Sequence, residues 1–560
     1  MHRVALSVFI RAVRRPCLCY IEHPDGADTG TAETRAEAGL TILPELRGRS
    51  RRSSDLRGLL RGDLPPLRNS SGITRRTRNW ITRMSLSAVT PIANQQSQNR
   101  PSLVRGLSLL DSVLLLVSGI IGSSIFLTAK DIAGPLPHPA WFFLVWVLGG
   151  VVSLFACFAF AELGSMFADS GGQYVYLREA YGDLVAFLYG WMLFSVANGG
   201  SIAALAVGSA AYFGQMVPLV SSQHVIFTVV GMGFTRAHLL ALVLIAIMTW
   251  INVIGLRQGA ILQNIATWAK FAAMAAFVGL GIAIGKGSWS HFTTQSWGAS
   301  SSLTMGMHPG QLISALGVGL IAVFWAYDGW VYITWVAGEV KEPKRNVPLA
   351  MMLGVIVVGV IYVSMNIAYV YALPGTEIAK HETIAHAAAV ALFSPRAAIW
   401  LSAMIALSCF GAAATCTLSG ARVYYAMACD GVFFKKMAEV HPKWRTPAFS
   451  LIGEGIWAGI LTLSGRYDQL YTYVMFGMVL SYTLTVVGLF VLRKKRPDAP
   501  RPYRCTGYPW LPAIYVLIGG AWTLNTIFTR PVEALAGTLI VLAGVPGFIY
   551  WRRSSRKVVA

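Results

Sequence analysis

Charge is scarce in this chain, and acid scarcer still: 13% of its 560 residues are charged, with 46 Lys and Arg against 25 Asp and Glu. With 55% hydrophobic residues and a mean hydropathy of +0.56, an ordinary soluble domain is excluded, since such domains keep about 25% of their residues charged. Lysine is absent until Lys130, although sixteen arginines and eight acids fall within the first 83 residues. The seven cysteines (Cys17, Cys19, Cys157, Cys409, Cys416, Cys429 and Cys505) follow neither a disulfide framework nor a zinc spacing. Inside an apolar run a free cysteine acts as a small apolar residue, so no metal and no cofactor is expected. No buried His, Cys and Asp constellation suggests catalysis, which argues against an enzyme. A secretory signal is missing too, because Arg11, Arg14 and Arg15 interrupt and follow the short apolar run Val4–Ile10.

What the chain has instead is long apolar runs, each near the twenty residues that cross a bilayer. Twelve are expected, over 106–130, 140–167, 183–217, 238–257, 262–286, 310–336, 347–373, 396–428, 447–465, 468–492, 510–529 and 531–551. The fold class is therefore an all-α membrane protein of twelve transmembrane helices, with the lipid bilayer as its surroundings.

The net charge of +21 invites a nucleic-acid reading, but its distribution opposes it. With the N-terminus set inside, nineteen Lys and Arg after residue 106 fall in cytoplasmic connections and the C-terminal tail, against seven on the other side. That asymmetry places both termini in the cytoplasm and assigns the basic excess to topology. Residues 1–100 read as a disordered basic region, or alternatively as partly untranslated with the true start at Met84, as the many arginines without lysine suggest.

Spans 1–5 (106–286) and spans 6–10 (310–492) form two sets of five. Since each set is odd in number, equivalent spans enter the membrane from opposite sides, giving a 5+5 inverted repeat. The basic linker Arg493–Pro509 then leads to two additional spans, 510–551, read as scaffold or oligomer contact. Spans 1 and 6 correspond, and each is interrupted. Span 1 carries Ser118-Gly119-Ile120-Ile121-Gly122-Ser123-Ser124-Ile125-Phe126, and span 6 carries Phe324-Trp325-Ala326-Tyr327-Asp328-Gly329-Trp330. A membrane span has no water for freed backbone groups, so a break is expected only where it lines a cavity.

Gly119 and Gly122 weaken the span 1 helix, while the hydroxyls of Ser123 and Ser124 compete for its backbone bonds. A half-helix starting near Ser124 would present free N–H groups to a carboxylate; Gly119-x-x-Gly122 alone is equally a small-residue packing face. In span 6, a charge at Asp328 costs about 2.5–3.5 kcal/mol on insertion scales, which marks it as functional by default. Adjacent Gly329 supplies a break, and carbonyls near Trp325 and Ala326 would receive an ammonium, with Asp328 as counter-charge. The alternative is that Asp328 pairs internally with a tyrosine or a backbone donor. Lys270 in span 5 is the second buried charge: it either fills a site that sodium would otherwise occupy or snorkels to the membrane edge. Glu162 is expected to pair with a loop cation, and Glu454 is given no functional role.

Further segments recur in a familiar order: Ala161-Glu162-Leu163-Gly164 with Ser170-Gly171-Gly172-Gln173-Tyr174-Val175-Tyr176, Glu339-Val340-Lys341-Glu342-Pro343 with Arg345-Asn346-Val347-Pro348, Gly420-Ala421-Arg422 with Tyr425-Ala426-Met427-Ala428, Arg445-Thr446-Pro447, and Arg501-Pro502-Tyr503-Arg504 with Gly507-Tyr508-Pro509-Trp510. Together with the two breaks they resemble the amino acid–polyamine–organocation superfamily, in its L-type amino acid transporter branch, over about 105–552. The resemblance implies the leucine-transporter-type fold and amino acid exchange or proton-coupled uptake. It assigns substrate binding to Ile120, Ile121, Ser123, Ser124, Ile125, Trp325, Ala326, Asp328 and Gly329, helix breaks to Gly119, Gly122 and Gly329, and the ion-surrogate role to Lys270. Ser124 departs from the family pattern, which has Gly there. Animal relatives use a Cys after span 3 to bind a heavy chain; 215–237 has none, so no disulfide-linked heavy chain is expected.

The expected function is secondary active transport of amino acids across the plasma membrane by alternating access. A fixed charge at Asp328 would bias it toward cationic or small polar substrates. The rivals are a polyamine or organic amine carrier and, from another class, an amino-acid sensor or channel. Oligomeric state is left open.

Overall fold

The computed structural model describes residues 103–559 except 137, 221–223, 230–231, 298–305, 382, 464–466 and 530. The basic region 1–100 and the alternative start at Met84 lie outside the described residues.

In chain order the helices begin with α1 (Leu109–Ile120), α2 (Ala129–Ala133), α3 (Pro139–Met166), α4 (Gln173–Tyr181), α5 (Asp183–Met192) and α6 (Asn198–Met216), the last two joined by a π-helical turn, Leu193–Ala197. Next come α7 (Arg236–Ile254), α8 (Leu256–Ile284), α9 (Pro309–Tyr327), α10 (Tyr332–Trp335), α11 (Pro343–Ala372), α12 (Gly375–Ile378) and α13 (Ile384–Leu392). The chain closes with α14 (Pro395–Cys429), α15 (Ala448–Leu463), α16 (Tyr467–Lys495), α17 (Trp510–Thr529), α18 (Pro531–Leu542) and α19 (Gly544–Val559).

Ten helical segments among the described residues are long and apolar enough to cross a membrane, and Leu109–Ile120 and Ala448–Leu463 are apolar but shorter. The molecule is thus a mostly helical, multi-pass membrane protein. It is not all-α. An antiparallel hairpin, β1 (Val225–Val229) with β2 (Met232–Thr235), precedes α7. Val-Ile-Phe-Thr-Val is rich in β-branched residues and far too short to span, which favours a strand pair there.

Helix starts follow local chemistry. Ser108 and Asp111 form a reciprocal cap on α1, with the Ser108 amide 2.9 Å from the Asp111 carboxylate. Proline stands in the first turn of α3, α9, α11 and α14, where its missing N–H costs nothing. Side-by-side packing pairs α3 with α11, α6 with α14, α7 with α15, and α1 with α10, while α8 lies against both α1 and α14. Glycines allow the close approaches: Gly354 faces Leu116, and Gly149 and Gly150 face Val323 and Tyr327. Large apolar side chains, including Ile265, Trp400, Leu517 and Phe528, cover the exterior.

Glu162 near the end of α3 is fully buried and holds two cations where one was expected. It accepts from Arg493 at 3.0 and 2.6 Å, from Arg501 at 3.0 Å and from the Cys505 amide at 2.7 Å. The Arg493 guanidinium lies 3.6 Å from the Tyr508 ring centroid. The segment after α16 is thereby tied to α3.

Candidate functional site

Helix α1 stops at Ile120. Ile121 leaves helical geometry (φ −79°, ψ 80°), Gly122 and Ser123 form a bend, and a single 3-10 turn covers Ser124–Phe126 before α2. The half-helix expected from Ser124 is therefore only two short pieces, too brief to carry a macrodipole. What remains is a cluster of amides: among the described residues, those of Ser123, Ser124 and Ile125 donate to no main-chain carbonyl. All of Ile120, Ile121, Ser123, Ser124 and Ile125 are buried.

Helix α9 stops at Tyr327. Asp328 is extended (φ −64°, ψ 153°) and Gly329 has φ +109°, a conformation that L side chains rarely adopt. A Cβ on Gly329 would stand 2.9 Å from the Gly119 carbonyl carbon and oxygen, so the two broken spans touch backbone to backbone at their breaks. Gly119 itself remains in the last turn of α1, packed against Tyr332 of α10.

Lys270, 2% exposed, does not snorkel. Its Nζ donates to the Ile121 carbonyl and lies 3.4 Å from that of Ser118, putting an ammonium at the span 1 break. The Ser408 hydroxyl adds one donor, 3.3 Å from the Ile121 carbonyl and 3.4 Å from that of Gly122. Tyr362 of α11 connects the breaks: its hydroxyl is 3.2 Å from the Ile120 carbonyl and 2.8 Å from that of Ala326, with the Ser124 side chain beside it. The Trp325 carbonyl accepts from the Asp328 amide at 3.1 Å. Two acceptors read from the sequence as ammonium ligands are thus engaged by the protein in this conformation.

Asp328 turns elsewhere. Its Oδ1 accepts from the Tyr482 hydroxyl of α16 at 2.6 Å, and its carboxylate also meets the Gly329 amide. Beside it lies a cavity of about 30 Å³ bounded by Ser153, Phe324, Trp330, Tyr482, Tyr515 and Gly519 among others. That is room for water, well under the roughly 300–1,000 Å³ of ligand pockets. Trp325 is half-buried. The structure brings Gly119, Ile120, Ala326 and Gly329 together and sets Lys270 on Ile121, but it does not set the Asp328 carboxylate against the span 1 break.

Sequence reasoning missed Tyr362, Ser408 and Tyr482. The available signal was a hydroxyl within an apolar span, which must find a partner when buried.

The Glu339 carbonyl accepts from the Gly106 and Leu107 amides at 2.8 and 3.0 Å, joining the chain before α1 to that after α10. The Glu339 carboxylate pairs with Arg422 of α14 at 2.9 and 3.1 Å, both side chains fully buried.

Paired interrupted helices whose main-chain ends meet inside a multi-pass bundle define a transporter of the broken-helix kind. The sequence profile of the amino acid permease family matches residues 107–549, and the chain belongs to that family. It is not an enzyme family. Among its relatives, the b(0,+)-type amino acid transporter 1 of Mus musculus is 30% identical over 79% of this chain and 87% of its own length. The serine/threonine exchanger SteT of Bacillus subtilis is 28% identical over 81% of this chain and 98% of its own. The large neutral amino acids transporter small subunit 2 of Mus musculus is 28% identical over 81% and 83%.

Proposed function

We propose that this protein moves amino acids across the plasma membrane by alternating access, as an exchanger or a proton-coupled permease, with both termini cytoplasmic. The observation that carries the reading is the meeting of the two breaks at Gly119, Ile120, Ala326 and Gly329 under one bridging hydroxyl, Tyr362. Three bared amides at Ser123–Ile125 suit a carboxylate, and the Trp325 and Ala326 carbonyls suit an ammonium once Tyr362 lets go. Lys270 holds the Ile121 carbonyl as a sodium ion would, so uptake is sodium-independent.

Twelve spans follow if α1 with its continuation to α2 and the shorter α15 each cross the bilayer. The packing supports a 5+5 inverted repeat, since the equivalent pairs 1 and 6, 2 and 7, 3 and 8, and 4 and 9 lie in contact as α1 with α10, α3 with α11, α6 with α14 and α7 with α15. With no Cys in 215–237, the protein works without a disulfide-linked heavy chain. Asp328, drawn from Tyr482 when the site opens, favours cationic or small polar substrates.

The test is purified protein in liposomes preloaded with candidate amino acids, assayed for labelled uptake with and without a pH gradient. Saturable counter-transport supports the reading. Conduction without saturation would make it a channel, and uptake of polyamines in preference to amino acids would make it an amine carrier. Equal uptake of lysine, arginine and serine by wild type and Asp328→Asn would remove the selectivity role of Asp328.

A further inference from the structure

We propose that Glu454 is the proton-binding site of this transporter: it holds a proton while the Glu339–Arg422 pair is closed and releases it as that pair opens, linking proton movement to the transport cycle. The inference rests on the transport reading above and decides between its two modes.

Glu454 lies in α15 and is 1% exposed. Its Oε1 accepts from the Asn198 side-chain amide and lies 3.3 Å from the Tyr424 hydroxyl. Among the described residues its Oε2 has no partner, and neither has the Asn198 Oδ1 of the same amide group. A bare carboxylate served only by neutral donors in an apolar interior is costly. One proton removes the charge and also supplies the donor that two orphaned acceptors lack. Charge and hydrogen bonding point the same way.

The surroundings offer no free cation among the described residues. From α14 come Arg422, Tyr424 and Cys416, the last through its carbonyl, which takes a second bond from Asn198 at 3.1 Å. Tyr189 of α5 lies behind Tyr424. From α6 the facing group is Asn198, and from α7 it is Thr249, packed against Gly455 with its own hydroxyl unpartnered. Lys435 and Lys436, in the 3-10 turn packed on α15, are exposed. Arg422 is spent: it is bidentate to Glu339 and bonds the Leu418 carbonyl at 2.6 Å.

That commitment provides the coupling. An ionised Glu454 competes with Glu339 for Arg422. Glu339 joins the chain ends beside α1 and α10, so loss of its partner loosens the seam between both broken spans. Arg422 acts on Glu454 through its charge, and a Cβ on Gly420, two residues away on a different face of α14, would strike both Asn198 and the Glu454 Oε1. Asn198 also follows directly on the π-helical turn, a distortion frequent at functional sites.

The experiment uses the full chain in liposomes containing a trapped pH dye, with labelled amino acid outside. In wild type, substrate uptake acidifies the lumen, and an acid-outside gradient raises uptake several-fold over equal pH. In Glu454→Gln the ratio of gradient-driven to equal-pH uptake falls to one and the dye signal is lost, with folding checked by thermal unfolding. Glu454→Asp keeps the dye signal with a shifted pH profile. Infrared difference spectra of wild type on adding substrate, which need no variant, show loss of a protonated carboxyl band. Amino acid exchange without proton movement in wild type, an unchanged ratio in Glu454→Gln, or no carboxyl change in the infrared overturns the proposal and leaves the transport reading standing. No wild-type uptake under any loading overturns both.

Discussion

Ile120 and Ala326, at the broken ends of two different helices, share one donor: the Tyr362 hydroxyl lies 3.2 and 2.8 Å from their carbonyls. The bond ties together two segments that a transport cycle must separate, and it occupies an oxygen well placed for a substrate ammonium. Tyr362→Phe keeps the edge-to-face ring contacts with Trp146 and Tyr327 and removes only the hydroxyl. A hydrogen bond within a membrane bundle is worth about 0.6–2 kcal/mol, so the closed conformation loses about 3- to 30-fold in population. Thermal unfolding of the purified variant should begin earlier and counterflow should quicken, since the Ala326 carbonyl is freed; unchanged values in both would show that the bridge holds nothing.

Lys270 sets its Nζ at the span 1 break, against the Ile121 and Ser118 carbonyls. Lys270→Met keeps most of the stem and strips the donors from the Ile121 and Ser118 carbonyls. Uptake is expected to fall at least about 5-fold, since an unsatisfied buried carbonyl costs about 1–3 kcal/mol. Wild-type uptake should be equal in sodium and choline media. Sodium stimulation of the wild type would contradict the ion-surrogate role.

Gly329→Ala should abolish uptake and lower the yield of folded protein. A positive φ costs an L-residue about 1–3 kcal/mol, and the added methyl meets the Gly119 backbone at 2.9 Å, which no side-chain rotation relieves. Gly182→Ala is the control: φ is +95° there, but the methyl meets nothing within 4 Å. Its yield and melting temperature should fall much less. Equal losses in the two variants would show that backbone strain alone, and not the contact between the breaks, sets the effect.

Glu162→Gln removes the countercharge from Arg493 and Arg501. Breaking a buried ion pair from one side costs about 3–5 kcal/mol, and the lower end applies because the Arg493 side chain is 24% exposed. The expected result is a marked drop in thermal stability, read by unfolding in detergent. A melting temperature within error of wild type would make the clamp dispensable.

The two breaks were legible in the sequence because lipid penalises polar and helix-breaking residues so heavily that Gly122, Asp328 and Gly329 stand out against apolar surroundings. Lys270 was conspicuous for the same reason. What Lys270 touches was not legible, since the Ser118 and Ile121 carbonyls become neighbours only when α8 packs on α1. For Asp328 the sequence offered both a substrate role and an internal tyrosine or backbone partner; the structure shows the second, and which tyrosine was not legible because α16 brings Tyr482 to it only in the fold. The brevity of the pieces after each break, Ser124–Phe126 and Tyr332–Trp335, also escaped, because apolar runs continue through them without a compositional mark. Glu454 looked unremarkable as one acid in a span; its orphaned oxygen appears only with Asn198 in place.

The most direct test is a cryo-electron microscopy map of the protein in lipid with a transported amino acid bound. Density is expected between the breaks, with the carboxylate on the Ser123–Ile125 amides, the ammonium on the Trp325 and Ala326 carbonyls, and Tyr362 withdrawn from Ala326. A substrate bound elsewhere, with the Tyr362 bridge to Ile120 and Ala326 still closed, would contradict it.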